Sequence, residues 1–231
     1  MKNVIKNLIP ISIIQLYKKW GILKFRNLDT KDVFTEIYKT NHWNSEESIS
    51  GGGSELSQTK SLLRDLGLLL KEKKIHSVLD LPCGDFKWMQ HLDFTDINYI
   101  GGDIVEELIQ LNSLQYKNLD NVNFRLLDLI EDTLPKSDLI IVRDCLVHLS
   151  NSNIFKAINN IKRSGSTYLL TTTFPDFNLN YDIVTGDWRR LNLEKEPFNF
   201  PLPLLVINEN CTEKNGEYKD KSMALWLISE I

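Results

Sequence analysis

The chain lacks an excess of positive charge, a dinucleotide-type glycine turn and a metal-binding cysteine pattern. Lys+Arg number 27 against Asp+Glu 31 in 231 residues, a formal net charge of −4 at pH 7, so no global basic field points to a nucleic-acid partner. Its 11 glycines never form G-x-G-x-x-G, the turn that lets a backbone approach a pyrophosphate and pack the following helix. A nicotinamide dinucleotide is disfavoured on that ground. The three cysteines, Cys83, Cys145 and Cys211, are widely spaced and odd in number. They fit neither a zinc-ligand spacing nor a disulfide framework, which suits a reducing, cytoplasmic setting, and no motif requires a metal. Long apolar runs are also missing. Residues 7–17, NLIPISIIQLY, are too short for a bilayer, which takes about 20 residues, and Lys18-Lys19-Trp20 follows where a leader would have small residues. This segment reads as a helix packed on the domain or a partner, or as one making at most peripheral membrane contact.

What is present is an α/β pattern. A hydrophobic content of 42% in 26.8 kDa is enough for one domain with a short extension. We divide the chain into residues 1–54, a helical extension and lid segment, and residues 55–231, the main domain. Residues 75–103 organise it. Residues 77–81 form a short apolar run carrying Asp80. Pro82-Cys83-Gly84-Asp85 is a turn, and residues 98–102 are a second apolar run followed by Asp103 and Ile104. An acid about 20 residues beyond such a turn is where a ribose hydroxyl pair is held. The expectation is an adenosine-containing cofactor over the turn with Asp103 on its ribose. The acids flanking the turn, Asp80 and Asp85, would repel a pyrophosphate and suit a cation.

At VLDLPCGDF the chain resembles the class I S-adenosylmethionine-dependent methyltransferases, whose first motif is an acid in an apolar strand followed by a glycine-rich turn. Asp80 matches the acid and Gly84 the second glycine, while Pro82 stands at the first. VLDLPCGDFKWM, RDCLVHLS, LLTTTF, TGDWRRLNL and DKSMALW together resemble a bacterial subgroup associated with surface-glycan gene sets. The resemblance spans residues 55–231. It implies a Rossmann-like sheet in the order 3-2-1-4-5-7-6 with an antiparallel closing hairpin, helices on both faces, and S-adenosylmethionine as cofactor. It also implies O-methylation of a sugar hydroxyl or a phosphoryl-type substituent in surface polysaccharide or capsule biosynthesis, on a small-molecule or glycan-linked acceptor. Methylation of another metabolite or of a protein stays open, as does a non-catalytic cofactor-binding partner protein.

The remaining pattern supplies the other elements and candidates. Residues 32–40 read as a short helix. Residues 41–54 are polar and glycine-rich and hold Trp43; they are either a linker or a lid bringing Trp43 to the acceptor and Gly52 and Ser54 to the cofactor. Residues 57–72 have helical spacing; Arg64 there either reaches the cofactor carboxylate or stays solvated. Residues 86–91 read as a helix entered from the turn, with Trp88 either packing or lying near the adenosine. Helices follow at 104–112 and 151–163, the latter capped by Ser150 or Asn151 and closed by Gly165. Strands are expected at 123–127, 139–142, 166–172, 201–207 and 222–229. Asp128 and Leu129 match the family position facing adenine, or Asp128 is an ordinary cap. After the fourth strand, Asp144 and His148 are four apart, so on a helical turn His148 would be a general base oriented by Asp144; otherwise His148 is structural. Arg143 contacts ligand or holds Asp144. Residues 174–201 lack a period, and Asp187, Trp188, Arg189 and Arg190 there are candidates for sugar or phosphate recognition, unless this is a packed surface loop.

Overall fold

The computed structural model describes residues 23–231; the run at 7–17 lies outside the described residues. Strands β1 (Ser77–Asp80), β2 (Asn98–Asp103), β3 (Val122–Leu126), β4 (Leu139–Val142), β5 (Tyr168–Thr173), β6 (Leu205–Asn208) and β7 (Ser222–Leu227) make one sheet in the order β3-β2-β1-β4-β5-β7-β6. The first five run parallel, and β7 is antiparallel to both β5 and β6. This is the expected order.

Strand β4, LIIV, shows why the sheet forms here. All four residues are buried, as a central parallel strand covered on both faces requires. Its alternation divides the core. Leu139 and Ile141 face helix α2 (Leu56–Glu72), whose Leu62, Leu66, Leu69 and Leu70 join Val78 and Tyr99. Ile140 and Val142 face the other side, where Leu79 and Leu169 meet Ile154, Ala157, Ile158 and Ile161 of helix α4 (Asn151–Arg163). Each such aliphatic side chain contributes about 2 kcal/mol of burial. The Ser150 side chain accepts from the Asn153 N–H at the start of α4, and Gly165, at φ +67°, ends it. Helix α3 (Glu106–Gln115) packs beside β2 and β3. Helix α1 (Thr30–Lys39) starts at Asp29, whose carboxylate accepts from the Asp32 N–H at 2.8 Å.

Two expectations are corrected. Residues 86–91 do not form a helix; one 3₁₀ turn, Met89–His91, is all that follows the first strand's turn. The cause is Phe86. It is fully buried, with ring centroids of Tyr116, Tyr99 and Phe124 at 4.9, 5.1 and 5.2 Å, and holds φ +57°, which interrupts a right-handed helix. Strand β6 starts later than residue 201, since Pro201 and Pro203 have no N–H to give the ladder. Residues 174–201 carry no helix or strand, yet they are packed: Leu191, Leu193, Phe198 and Phe200 enter the core. The Asn192 amide donates to the carbonyls of Pro175 (3.0 Å) and Phe177 (2.9 Å).

Candidate active site

The carboxyl ends of β1, β2, β3 and β4 open into one pocket, and α1 with residues 43–54 covers it. This is where ligands bind in open parallel sheets. From β1 and its turn come Asp80, Pro82, Cys83 and Gly84; from β2, Asp103 and Ile104; from β3, Asp128 and Leu129; from β4, Arg143, Asp144 and His148. Trp88, Trp43 and Ser54 complete the expected residues on the wall.

The acids are set for ligands. Asp80 is 2% exposed; its Oδ2 accepts from the Tyr99 hydroxyl at 2.6 Å. Its Oδ1 is buried and, among the described residues, has no hydrogen-bond partner. Burial pushes the carboxyl up to about 7, against the Tyr99 hydrogen bond and the charge of Arg143. Asp103 accepts from the N–H groups of Gly84 (3.2 Å) and Val105 (3.0 Å), and burial raises it to about 6. Burial also raises Asp128, whose Oδ1 accepts from the Ile130 N–H at 2.7 Å. Gly84 holds φ +56°, and a Cβ there would stand 2.2 Å from the Ser50 hydroxyl oxygen. The covering segment therefore presses directly on the turn. Asp85 fastens it further, taking the Ile49 N–H at 3.1 Å and giving its own N–H to Ser50 Oγ at 3.3 Å.

On the β4 side, His148 Nδ1 lies 2.8 Å from the Asp187 carbonyl oxygen. A carbonyl only accepts, so Nδ1 carries the proton and Nε2 keeps its lone pair. Burial lowers the imidazole's pKa, outweighing the opposing Asp187 hydrogen bond and Asp144 charge. The Trp43 ring lies 5.2 Å from the imidazole at 41°. The group orienting His148 is thus the backbone of residue 187, which corrects the expected Asp144–His148 pair. Asp144, at φ +50°, turns the other way and bonds Lys221 Nζ at 2.5 Å, with Arg143 Nη1 at 3.5 Å. These cations hold it well below the usual carboxylate range although burial alone would raise it. Arg143 in turn pairs with Glu209 at 2.6 Å and donates to the Gly53 carbonyl at 2.8 Å. Its guanidinium also lies 5.2 Å from the Trp88 ring. A buried network, Lys221–Asp144–Arg143–Glu209, ties the β6–β7 hairpin to the covering loop.

Several candidates lie elsewhere. Arg64 is paired with its neighbour Asp65 at 2.7 Å and its side chain is 69% exposed, so it does not reach the pocket. Arg189 is fully buried and donates to the carbonyls of Leu146 and Val147 and to Asn151 Oδ1. It builds the turn that carries His148 and does not face an acceptor. Arg190 lies over the Phe177 ring at 4.6 Å, and Trp188 packs on Tyr218 at 4.9 Å; neither lines the pocket. Asp187 reaches the site through its carbonyl, while its carboxylate accepts from the Trp188 N–H. Asp85 and Gly52 stand behind the wall, Gly52 against Glu213.

Comparison with solved structures decides the fold family. Magnesium protoporphyrin IX methyltransferase from Synechocystis PCC 6803, with SAM bound, matches with a TM-score of 0.59 at 14% identity, over 87% of this chain and 97% of that one. Human N-acetylserotonin methyltransferase in complex with SAM matches at 0.58 and 13% identity, over 88% and 61%. The fold is that of the class I methyltransferases. The methyltransferase domain of the bacterial CtHen1-C matches as well, at 0.53 and 15% identity over 75% and 98%. No protein-family model and no curated protein matches the sequence. Within this methyltransferase fold, the wall residues missed from sequence include Thr30, Phe34, Ile37 and Tyr38 of α1 and Ser50, with the Glu209–Lys221 pair behind them. The apolar face of α1 (Val33, Phe34, Ile37, Tyr38) was a usable signal. The ion pair left none, because a hairpin brings its members together.

Proposed function

We propose that the protein is an S-adenosylmethionine-dependent O-methyltransferase. The observation that carries this reading is the row of acids, buried Asp80 and Asp103 and half-buried Asp128, at successive strand ends of one pocket, with a partnerless oxygen on Asp80. A buried carboxylate oxygen lacking a partner favours the arrival of a cation or donor. S-adenosylmethionine fits this set. Asp80 would face its ammonium, Asp103 its ribose hydroxyls and Asp128 its adenine amino group, over the Gly84 turn. When bound, it supplies an electrophilic methyl group on a sulfonium. The chain's own residues do the rest. The covering segment excludes water, and the pocket holds the acceptor oxygen in near-attack geometry, the larger part of the rate. His148, neutral and with Nε2 free, takes the acceptor's proton, a contribution of about 10²–10⁴-fold.

The acceptor class we propose is a sugar hydroxyl, or a phosphoryl-type substituent, of a nucleotide-linked or glycan-linked intermediate in bacterial surface polysaccharide synthesis, handled in the cytoplasm. The motif set RDCLVHLS, TGDWRRLNL and DKSMALW supports it. Among the described residues no helix is long and apolar enough to cross a membrane.

Calorimetric titration with S-adenosylhomocysteine, with NAD as control, tests the cofactor. Micromolar binding of the first alone is expected, and its absence overturns the reading. His148→Ala then separates an enzyme from a non-catalytic cofactor-binding protein: methyl transfer to nucleotide-linked sugars falls while S-adenosylhomocysteine affinity holds.

A further inference from the structure

Among the described residues, Arg143 is the one arginine or lysine on the pocket wall, and it and the cations bonded beside it already have partners. Arg143 gives Nε and Nη2 to Glu209, Nη2 also to the Gly53 carbonyl, and Nη1 to Ser54 Oγ beside Asp144. Lys221 is held by Asp144 at 2.5 Å and Glu209 at 3.4 Å. Lys87 donates to the Glu47 carbonyl, and Arg189 and Arg190 point elsewhere. Four carboxylates, Asp80, Asp103, Asp128 and Asp144, line the same wall, the first three assigned to the cofactor and the last already held by Lys221 and Arg143. An anionic acceptor entering here would leave water and, among the described residues, meet no unpaired protein cation on the wall.

The covering wall has a different chemistry. Phe34, Ile37 and Tyr38 of α1 and Trp43 of the following loop line it, and Trp43 sits against the imidazole of His148. Flat rings of this kind stack on the C–H face of a sugar or on another ring, and the tyrosine adds one polar contact.

We infer that the acceptor is an uncharged molecule presenting its hydroxyl from an apolar or ring face, and that Phe34, Tyr38 and Trp43 set this preference against phosphorylated and carboxylated acceptors. The inference rests on the methyl-transfer reading of the same pocket and narrows it: of the two acceptor types proposed there, the neutral sugar hydroxyl is kept and the phosphoryl group is excluded.

The test uses the full chain and matched probes: phenyl β-D-glucopyranoside, its glucuronide and its glucosaminide, each titrated by calorimetry with and without saturating S-adenosylhomocysteine. The homocysteine titration alone reports on the cofactor reading, so the two can fail separately; the glycosides rank the wall by charge in either case. The neutral glucoside is expected to bind at least tenfold more tightly than the glucuronide. In Tyr38→Lys that ratio is expected to narrow at least fivefold with S-adenosylhomocysteine affinity unchanged, and the wild-type ranking stands as evidence even if this variant fails to fold. Equal or tighter binding of the glucuronide overturns the inference. So does a glucosaminide bound tenfold more tightly than the glucoside, or no detectable binding of any glycoside.

Discussion

Replacing Gly84 by alanine separates two costs that the turn has combined. At φ +56° any Cβ is strained, which costs about 1–2 kcal/mol. That Cβ would also stand 2.2 Å from Ser50 Oγ and 3.2 Å from Ser50 Cβ, so Ser50 must move, and overpacking of this kind costs about 1–3 kcal/mol. Gly165 provides the reference. Its φ is +67°, but a Cβ there has nothing within 4 Å. Gly165→Ala is therefore expected to lose about 1–2 kcal/mol and Gly84→Ala about 2–5 kcal/mol in urea unfolding. Displacing Ser50 also removes its bond to the Asp85 N–H and unseats the cover, so S-adenosylhomocysteine affinity should fall at least tenfold in Gly84→Ala and stay unchanged in Gly165→Ala. A Ser50→Gly background removes the clashing atoms. There, Gly84→Ala should cost only the backbone strain, and the double-mutant cycle should show coupling above about 1 kcal/mol. Equal losses for the two glycine variants, or no coupling with Ser50, would refute the claim that the cover presses on the turn.

Three further outcomes are expected. The acid limb of kcat/KM should lie below the free imidazole value of about 6.5, because burial lowers His148; a limb at or above 7 would contradict His148 as the base. Asp80 and Asp103 have folded-state values raised to about 7 and about 6, so their contribution to stability is present at low pH and lost as pH rises through those values. His148, lowered, acts in the opposite sense and adds stability above about 6.5. Urea unfolding of Asp80→Asn from pH 4 to 8 should accordingly show less loss on the alkaline side than wild type, and an unchanged slope would count against a buried Asp80. Finally, Glu209→Gln leaves Arg143 and Lys221 buried with one carboxylate between them and should destabilise the fold by about 3 kcal/mol, where an exposed control such as Glu131→Gln shifts it by less than about 0.5 kcal/mol.

Which parts of this architecture can be read from the sequence follows from how local each cause is. The parallel strands are legible because 77–81, 98–102 and 139–142 are short apolar runs closed by turn residues. Asp80 is found because it ends β1, Asp103 and Asp128 because they stand at or just past the ends of β2 and β3, and His148 because it lies in the segment after β4. The error at 86–91 has a different origin: a helix is expected to follow the turn, but a cluster of Phe94, Tyr99, Tyr116 and Phe124 captures Phe86, and two of those rings stand on β2 and β3 and a third caps α3.

Charge is the least legible quantity. In TGDWRRLNL two adjacent arginines suggest an anion site, yet Arg189 is spent on carbonyls 42 and 43 residues away and Arg190 on a ring. Lys221, unremarked in its strand-edge position, travels 77 residues to neutralise Asp144. A formal count therefore misjudges the pocket twice, crediting it with cations that it lacks and missing the one that bonds the loop after β4. The same reasoning applies to α1. Its pattern says that Val33, Phe34, Ile37 and Tyr38 bury a face, but an amphipathic helix does not name what it covers. Only the parallel sheet beneath it, with its acids already aligned at the strand ends, makes Phe34 and Tyr38 part of a pocket wall.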